Sequence, residues 1–505
     1  MEVLRELVRI ITKVKLRAIR KLGFPLETDN RLAEMYELLA DGASEEQVAL
    51  EITGSASKGG TFRRLKADLV DRLVASLFLV DLSQPTYNSR QRAYFEVHKN
   101  WAAVKILLGK NARLAGIDLG TQTLRQALRY EFNDLAYDIA RSIRLHYGTV
   151  APNHKKYQEY DTLCQRLQRT VTAEILAEDI YTRFITEYVR QKANRGELIE
   201  EARLSHLSLA PYTVQFDSYT LHLYGCLLEM SIHTANSNYA EADRVCDDAI
   251  SFFEAKPYVA SVPLQIAYYQ KLVCHFQLRR FDEVETFVNR GLAFLHEGAY
   301  NWFKFQETYL ALALHTEQYS IAYQVYKQVT SHARFRAQNE EITEYWRVLQ
   351  AYLHFLLEIG QLPSAAKDEE FSKFRIGRFL NQTPLFSKDK QGVNVSILII
   401  QILFFVARGR YGDTYDKIDA MEQYCRRHLF SEDTLRSYYF IKALLELPKN
   451  AFHRAAVQRK AAKHLDRLER YPLEKAGQST FITEIIPYER LWLYALDFLS
   501  NHFYK

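Results

Sequence analysis

The chain has 505 residues, several times a typical single domain, which argues against one globular core. Its 19 glycines and 11 prolines are roughly half the usual share; a sandwich, barrel or doubly wound sheet of this length needs more turn residues, whereas long helices on short connections need few. Hydrophobic residues at 48% and charged residues at 25% exclude a disordered or collagen-like chain, and the net charge of +5 resides in residues 1–21, which hold seven Lys/Arg and two Glu while the remainder balances.

Those first 21 residues place Leu4, Leu7, Ile11, Val14 and Ala18 at helical spacing, with Arg9, Lys13, Arg17 and Arg20 on a neighbouring face. Such a helix can dock in a partner groove, lie on an anionic membrane or contact a phosphate backbone. The ordinary fate of an amphipathic helix is simpler, and is the expectation here: its apolar seam packs on residues 62–80 and its charges stay in water. Charges every three or four positions do not read as a secretory signal, and Glu2, Glu6 and the lack of Ser argue against a transit peptide. Five widely spaced cysteines, none in CxxC spacing, point to a reducing compartment without a cysteine zinc site.

Residues 54–61 (GSASKGGT) come close to a phosphate-binding loop, but Gly60 stands where the lysine that partners the phosphates is required, so a connector is expected. Residues 38–73 look like the helix-turn-helix of response regulators and sigma factors. An acidic first helix opening at Ser44 precedes a basic one with Thr61, Arg63, Arg64 and Lys66 at its exposed start, where a recognition helix meets DNA. The Gly-rich turn is long for that motif, and the second helix carries a full apolar stripe of Phe62, Leu65, Leu69, Leu73 and Leu77.

From there on, helical periodicity dominates and period-2 alternation is almost absent. Breaks are expected at 83–85, Gly116–Gly120, Pro152-Asn153, Pro211, Pro257, Pro363, Pro384 and Pro448. The most apolar run, 395–407, has about thirteen residues, short of the roughly twenty that cross a bilayer, and reads as a buried helix. Four segments, 222–254, 266–295, 305–329 and 344–367, repeat an apolar helix, a short polar turn and a helix opening on a small or aliphatic residue. Their turn residues Tyr239, Phe281, Tyr319 and Leu362 are spaced 42, 38 and 43 apart, with weaker echoes at 130–143 and 407–424.

These segments resemble tetratricopeptide (TPR) repeats. Ala242, Val284, Ala322 and Ala365 stand where that family places the small residue that lets paired helices approach, and Ala249, Gly291 and Val329 recur seven positions later. The first-helix small residue of the family is Met230, Leu272 and Leu310 here, and the period exceeds 34 residues. The resemblance covers roughly 220–370, and 90–440 loosely. It implies a right-handed helical solenoid whose concave face binds peptides or proteins, and no catalysis. Independently, a lone helix pair cannot bury both its apolar faces, while stacked pairs share a continuous core; 33 Tyr, 29 Phe and 4 Trp suit the wedges between helices.

The expected architecture is all-α: an N-terminal helical module (1–90), a TPR-like helix-pair repeat solenoid (91–434) and a C-terminal helical cap (435–505). By position within the repeats, Tyr269, Gln277, Glu307, His315, Gln350 and His354 are candidate groove residues, and Arg9, Lys13, Arg17, Arg20, Arg63, Arg64 and Lys66 a candidate basic patch. HExxH, GxSxG, GxGxxG and EF-hand patterns are absent from the sequence, so no catalytic residue, cofactor or metal is assigned. The leading functional reading is a non-catalytic, cytoplasmic scaffold or adaptor for a protein or peptide partner. The alternatives are a nucleic-acid-binding regulator acting through 38–73 and an enzyme with dispersed catalytic residues. Attraction to nucleic acid or membrane is expected chiefly in the N-terminal module, with a lesser contribution from the basic stripe at 453–471.

Overall fold

A computed structural model describes Leu4, Val8 and residues 30–55, 59–79, 88–190, 195–375, 377–379, 393–415, 418–429, 434–471 and 484–500. Among these residues the regular structure is helical throughout, without a strand. No helix among them is long and apolar enough to cross a membrane. The chain forms two compact units, Met1–Arg169 and Thr170–Lys505.

In the first unit, α1 (Asn30–Ala40), α2 (Glu45–Thr53) and α3 (Gly60–Leu77) share one apolar cluster. Leu4 and Val8 are buried in that cluster with Phe62, Leu65, Leu69 and Leu73; the expected basic face at Arg9, Lys13, Arg17 and Arg20 lies outside the described residues. Ser44 caps α2 with a reciprocal capping box to Gln47, and Gly54 ends it in the left-handed conformation. A second cluster joins α4 (Ser89–Gly109), α5 (Arg113–Arg129), α6 (Asn133–Leu145) and the start of α7 (His154–Arg190). The break expected at Gly116–Gly120 is absent, because α5 runs straight through it. A methyl group on Gly116 would come within 2.9 Å of the Leu108 side chain, so these glycines admit a close-packed neighbour, α4, rather than a turn.

The second unit continues with α8 (Arg195–Leu207), α9 (Ala210–Gln215), α10 (Tyr219–Ala235), α11 (Tyr239–Glu254), α12 (Ser261–Leu278), α13 (Val284–Leu292), α14 (Tyr300–His315), α15 (Tyr319–Ser331) and α16 (Glu340–Glu358). From α10 on these form hairpins that contact one another in chain order. The helices divide by composition. In α11 the buried residues Tyr239, Ala242, Val245, Cys246, Ala249 and Phe253 form one stripe, whereas α14 buries Trp302, Phe303, Phe305, Tyr309, Leu310 and Leu312 on nearly every side. A one-sided stripe suits an outer helix and all-round apolarity an inner one. Ala242, Val284, Ala322 and Ala365 are fully buried. At Gly291 an added methyl would meet Tyr268 Cβ and the Phe305 ring, each at 2.9 Å, so nothing larger than glycine fits between α13 and its neighbours.

The fourth hairpin departs from the pattern. Its second element is a short 3-10 turn, Pro363–Lys367, rather than an α-helix. Proline pre-sets its start, and an extended stretch at Asp368 ends it five residues on. Beyond come α17 (Glu369–Ser372), the apolar α18 (Val393–Ala407), α19 (Tyr411–Tyr415), α20 (Ile418–His428), α21 (Leu435–Lys449), α22 (Arg454–Glu469) and α23 (Tyr488–Asp497). As its composition implies, α18 is buried along almost its full length, from Asn394 to Val406.

One turn closes these hairpins. Gly42, Asn111, Glu131, Ser237, Arg279, Glu317, Gly360, Gly409 and Ala451 all have positive φ, and in each case the next backbone N–H reaches back to the carbonyl five residues earlier, as in Asn238 to His233, Gln318 to Ala313 and Phe452 to Leu447, at 2.8–3.0 Å. This is the Schellman closure.

A buried ion pair organises the C-terminal part. Arg436, with 4% of its side chain exposed, grips fully buried Glu484 through two hydrogen bonds of 2.7 and 2.8 Å, and reaches Glu489 at 2.8 Å. Its remaining donors go to the Tyr471 and Leu468 carbonyls. Burial opposes the guanidinium charge, but Glu484 and Glu489 outweigh it and raise the pKa of Arg436 above its ordinary value.

Two stability outcomes follow. Arg436→Met strands a buried carboxylate and should cost about 3–5 kcal/mol in urea unfolding, with part of the loss recovered in Arg436→Met/Glu484→Met; a loss under 1 kcal/mol, or a double variant no better than the single, contradicts this. Ala451→Gly relieves a left-handed backbone at a partly buried turn and should raise stability by about 1 kcal/mol, measured by thermal and chemical denaturation.

Candidate functional site

The inner helices α12 and α14, with Tyr345 of α16, enclose an open cavity of about 730 Å³. On α12 the lining positions Val262, Gln265, Ile266, Tyr269, Gln270 and Val273 recur at helical spacing, and Tyr300, Lys304, Phe305, Thr308 and Ala311 do so on α14. Tyr269 and Tyr300 stand at the rim, 36% and 61% exposed. Tyr269 packs at the edge of Phe305, ring centroids 6.3 Å apart.

The polar groups of the cavity are mostly engaged. Gln265 donates to the Phe294 carbonyl at 2.6 Å and Gln270 to the Thr234 hydroxyl at 3.0 Å. Lys304 and Glu307 form an ion pair at 2.9 Å. Burial raises the pKa of Glu307 although Lys304 opposes it, and at Lys304 the attraction of Glu307 outweighs burial and raises the pKa. Burial also pushes the Tyr345 phenol up, so it stays protonated. The arrangement offers aromatic and aliphatic contact area around one charge pair, the composition of a binding site for a partly apolar ligand.

The structure divides the six candidate groove residues. Tyr269 and Glu307 line this cavity. Gln350 lines a different one of about 460 Å³, beside Tyr326, Trp346 and Arg347. Gln277, His315 and His354 are buried and line neither cavity. The His315 Nε2–H donates to the Glu484 carbonyl at 2.6 Å, and its ring packs on Phe276. His354 donates to the Phe371 carbonyl at 2.7 Å between the rings of Phe371 and Phe374. In each of these core histidines Nε2 is satisfied by a carbonyl from another segment, while Nδ1 is buried without a hydrogen-bond partner. Residues the sequence reading passed over are Val262, Tyr300, Lys304, Phe305 and Tyr345; their spacing on α12 and α14 was the available signal.

Of the candidate basic patch, Arg63 and Arg64 are exposed at the start of α3. Lys66 is instead tied to Glu45 at 3.1 Å, which removes one free charge from that face. Gly54 and Gly59 flank the connector as C-cap of α2 and N-cap of α3; residues 56–58 between them lie outside the described residues.

No known protein-family model matches the chain, and no curated protein matches its sequence.

His315 supplies a pH dependence. Burial lowers its pKa from 6.5 to about 3, only partly offset by the hydrogen bond to Glu484. The folded state therefore disfavours the proton that the unfolded chain takes up. The stability associated with neutral His315 is fully present above pH 6.5 and is lost as pH falls toward 3. At pH 5 the loss should be about 2 kcal/mol from this residue. His315→Gln, whose amide can reach the same carbonyl, should flatten the stability–pH slope between pH 6.5 and 5; an unchanged slope in urea titrations at several pH values contradicts the assignment.

Proposed function

We propose that the chain is a non-catalytic scaffold that binds a peptide segment of a protein partner on the inner-helix face of a TPR-like solenoid. The carrying observation is the cavity shared by α12, α14 and Tyr345, because a ligand-sized concavity formed by successive inner helices is what a peptide-binding repeat requires. The repeated left-handed hairpin closures and the buried small or aliphatic residues Ala242, Val284 and Ala322 support the repeat reading. The exposed tyrosines suit the role, since a rigid aromatic contributes contact area at little entropic cost.

The ligand contacts follow from the lining. Apolar or aromatic side chains of the peptide enter between Val262, Ile266 and Phe305, while its backbone or a polar side chain meets Tyr300 and the Lys304–Glu307 pair. Selection of random peptides on the full-length protein provides the test. Selected peptides should lose about ten-fold in affinity against Tyr300→Ala and more against Ala311→Trp, which fills the cavity. Peptides that bind wild type and both variants equally, or failure to select any, would overturn the reading.

A further inference from the structure

We propose that α22, with the tyrosine edge at its C-terminal end, binds single-stranded nucleic acid. The helix buries its apolar side, Val457, Ala461 and Leu468. On the opposite side Arg459, Lys460, Lys463, Arg467 and Arg470 are exposed. At 3.6 residues per turn these five cations fall within about 100° of the helix circumference, and 459 to 470 spans about 17 Å. Of the exposed acids, Asp466 borders that sector, three residues from Lys463 and four from Arg470, and Glu469 lies farther round the helix. Among the described residues, ion pairs of α22 are confined to Arg454 with Asp497 and His464 with Glu446, neither of which belongs to the basic track. A row of exposed cations, none of them in an ion pair among the described residues, is the footprint of a polyanion site.

A second observation identifies the polyanion. Tyr471, 38% exposed, directly follows the track and stacks on Tyr439 with ring centroids 6.0 Å apart at 21°. Tyr438 meets Tyr439 edge-on at 5.3 Å. The Arg467 guanidinium lies 5.9 Å over Tyr439 and the Lys442 ammonium 5.8 Å over Tyr438. Lys442 is largely buried and pairs with Glu422 at 3.8 Å, so the exposed cation that meets the tyrosine faces is Arg467, at the end of the basic track. Phosphates would follow the basic track while an unpaired base stacks on Tyr471, the combination by which proteins hold single strands. A duplex offers no free base face to that ring. An anionic membrane is disfavoured, because an interfacial helix inserts an apolar face and that of α22 is already buried against the protein.

The test is fluorescence anisotropy of the full-length protein with labelled single-stranded 20-mers, oligo(U) and oligo(dT), across a salt series. Wild type should bind with a linear dependence of log K on log salt. Arg459→Gln/Lys463→Gln/Arg467→Gln should weaken binding and reduce the slope by about 2, given roughly 0.7 per phosphate on single strands. Tyr471→Ala should weaken binding about ten-fold and leave the slope nearly unchanged. Arg9→Gln/Arg17→Gln/Arg63→Gln/Arg64→Gln should retain the α22-dependent binding. Circular dichroism of each variant excludes unfolding as the cause of loss. The proposal is overturned if oligonucleotide binding is absent, if it survives the α22 substitutions, or if only the N-terminal variant loses it. Preference for a duplex, or binding to phosphatidylserine vesicles but not to oligonucleotides, overturns it equally.

Discussion

The left-handed residue that ends one helix and turns the chain into the next is the constraint on which the rest of the architecture rests. It satisfies carbonyls that would otherwise be stranded at each helix end, and it reverses the chain within a few residues. A turn of fixed form sets the relation between the two helices it joins, so repetition of the turn repeats the hairpin. Alternate helices α12 and α14 are also in contact, and they share a cavity. Only Gly42, Gly360 and Gly409 among these turns are glycine; at Glu131, Arg279, Glu317 and Ala451 a side chain occupies a conformation that costs about 1–2 kcal/mol. The low glycine content thus reflects strained turns as well as few turns, with packing of the hairpins outweighing the strain.

The Arg436 cluster solves a different problem. Local turns order neighbours in sequence, but they do not fix a segment that returns from far along the chain. Residues 484–494 return to α14, α15 and α21 through Glu484 to Arg436 and His315, Tyr488 to Ser437 and Tyr494 to Tyr319. Each of these contacts satisfies a group that is buried on both sides. Removing any one partner leaves the other without water, so the cluster acts as a unit.

The all-helical character and several hairpin turns could be read from the sequence: Tyr239, Tyr319 and Leu362 are buried at hairpin turns, and the alanines three positions after them are fully buried. The site was harder to read for a physical reason. An inner helix is apolar on almost every face, so its periodicity does not say which stripe meets the core and which meets the cavity. On α12, Tyr268 and Tyr269 are adjacent in sequence, yet one is fully buried and the other stands at the rim. His315 and His354 show the complementary limit: a polar residue on an apolar helix reads as a groove residue, although each is buried and gives Nε2–H to a carbonyl from another segment. Gly116 likewise resembles a break until the neighbouring Leu108 shows that its role is close approach.

Charge shows the same limit. Outside residues 1–21 the formal charges cancel, and composition alone then describes an electrically neutral array. Cancellation over hundreds of residues constrains no single surface. On α11, Asp243 and Asp247 are spent on Lys271 at 2.9 Å each, fastening that helix to α12, and Asp368 is spent on Lys327 at 2.7 Å. Acids committed to interhelical pairs do not offset cations elsewhere, because Coulomb attraction between exposed charges is screened beyond about 10 Å. A chain can therefore be balanced in sum and still present, along one face of α22, a row of exposed cations that enter no ion pair among the described residues.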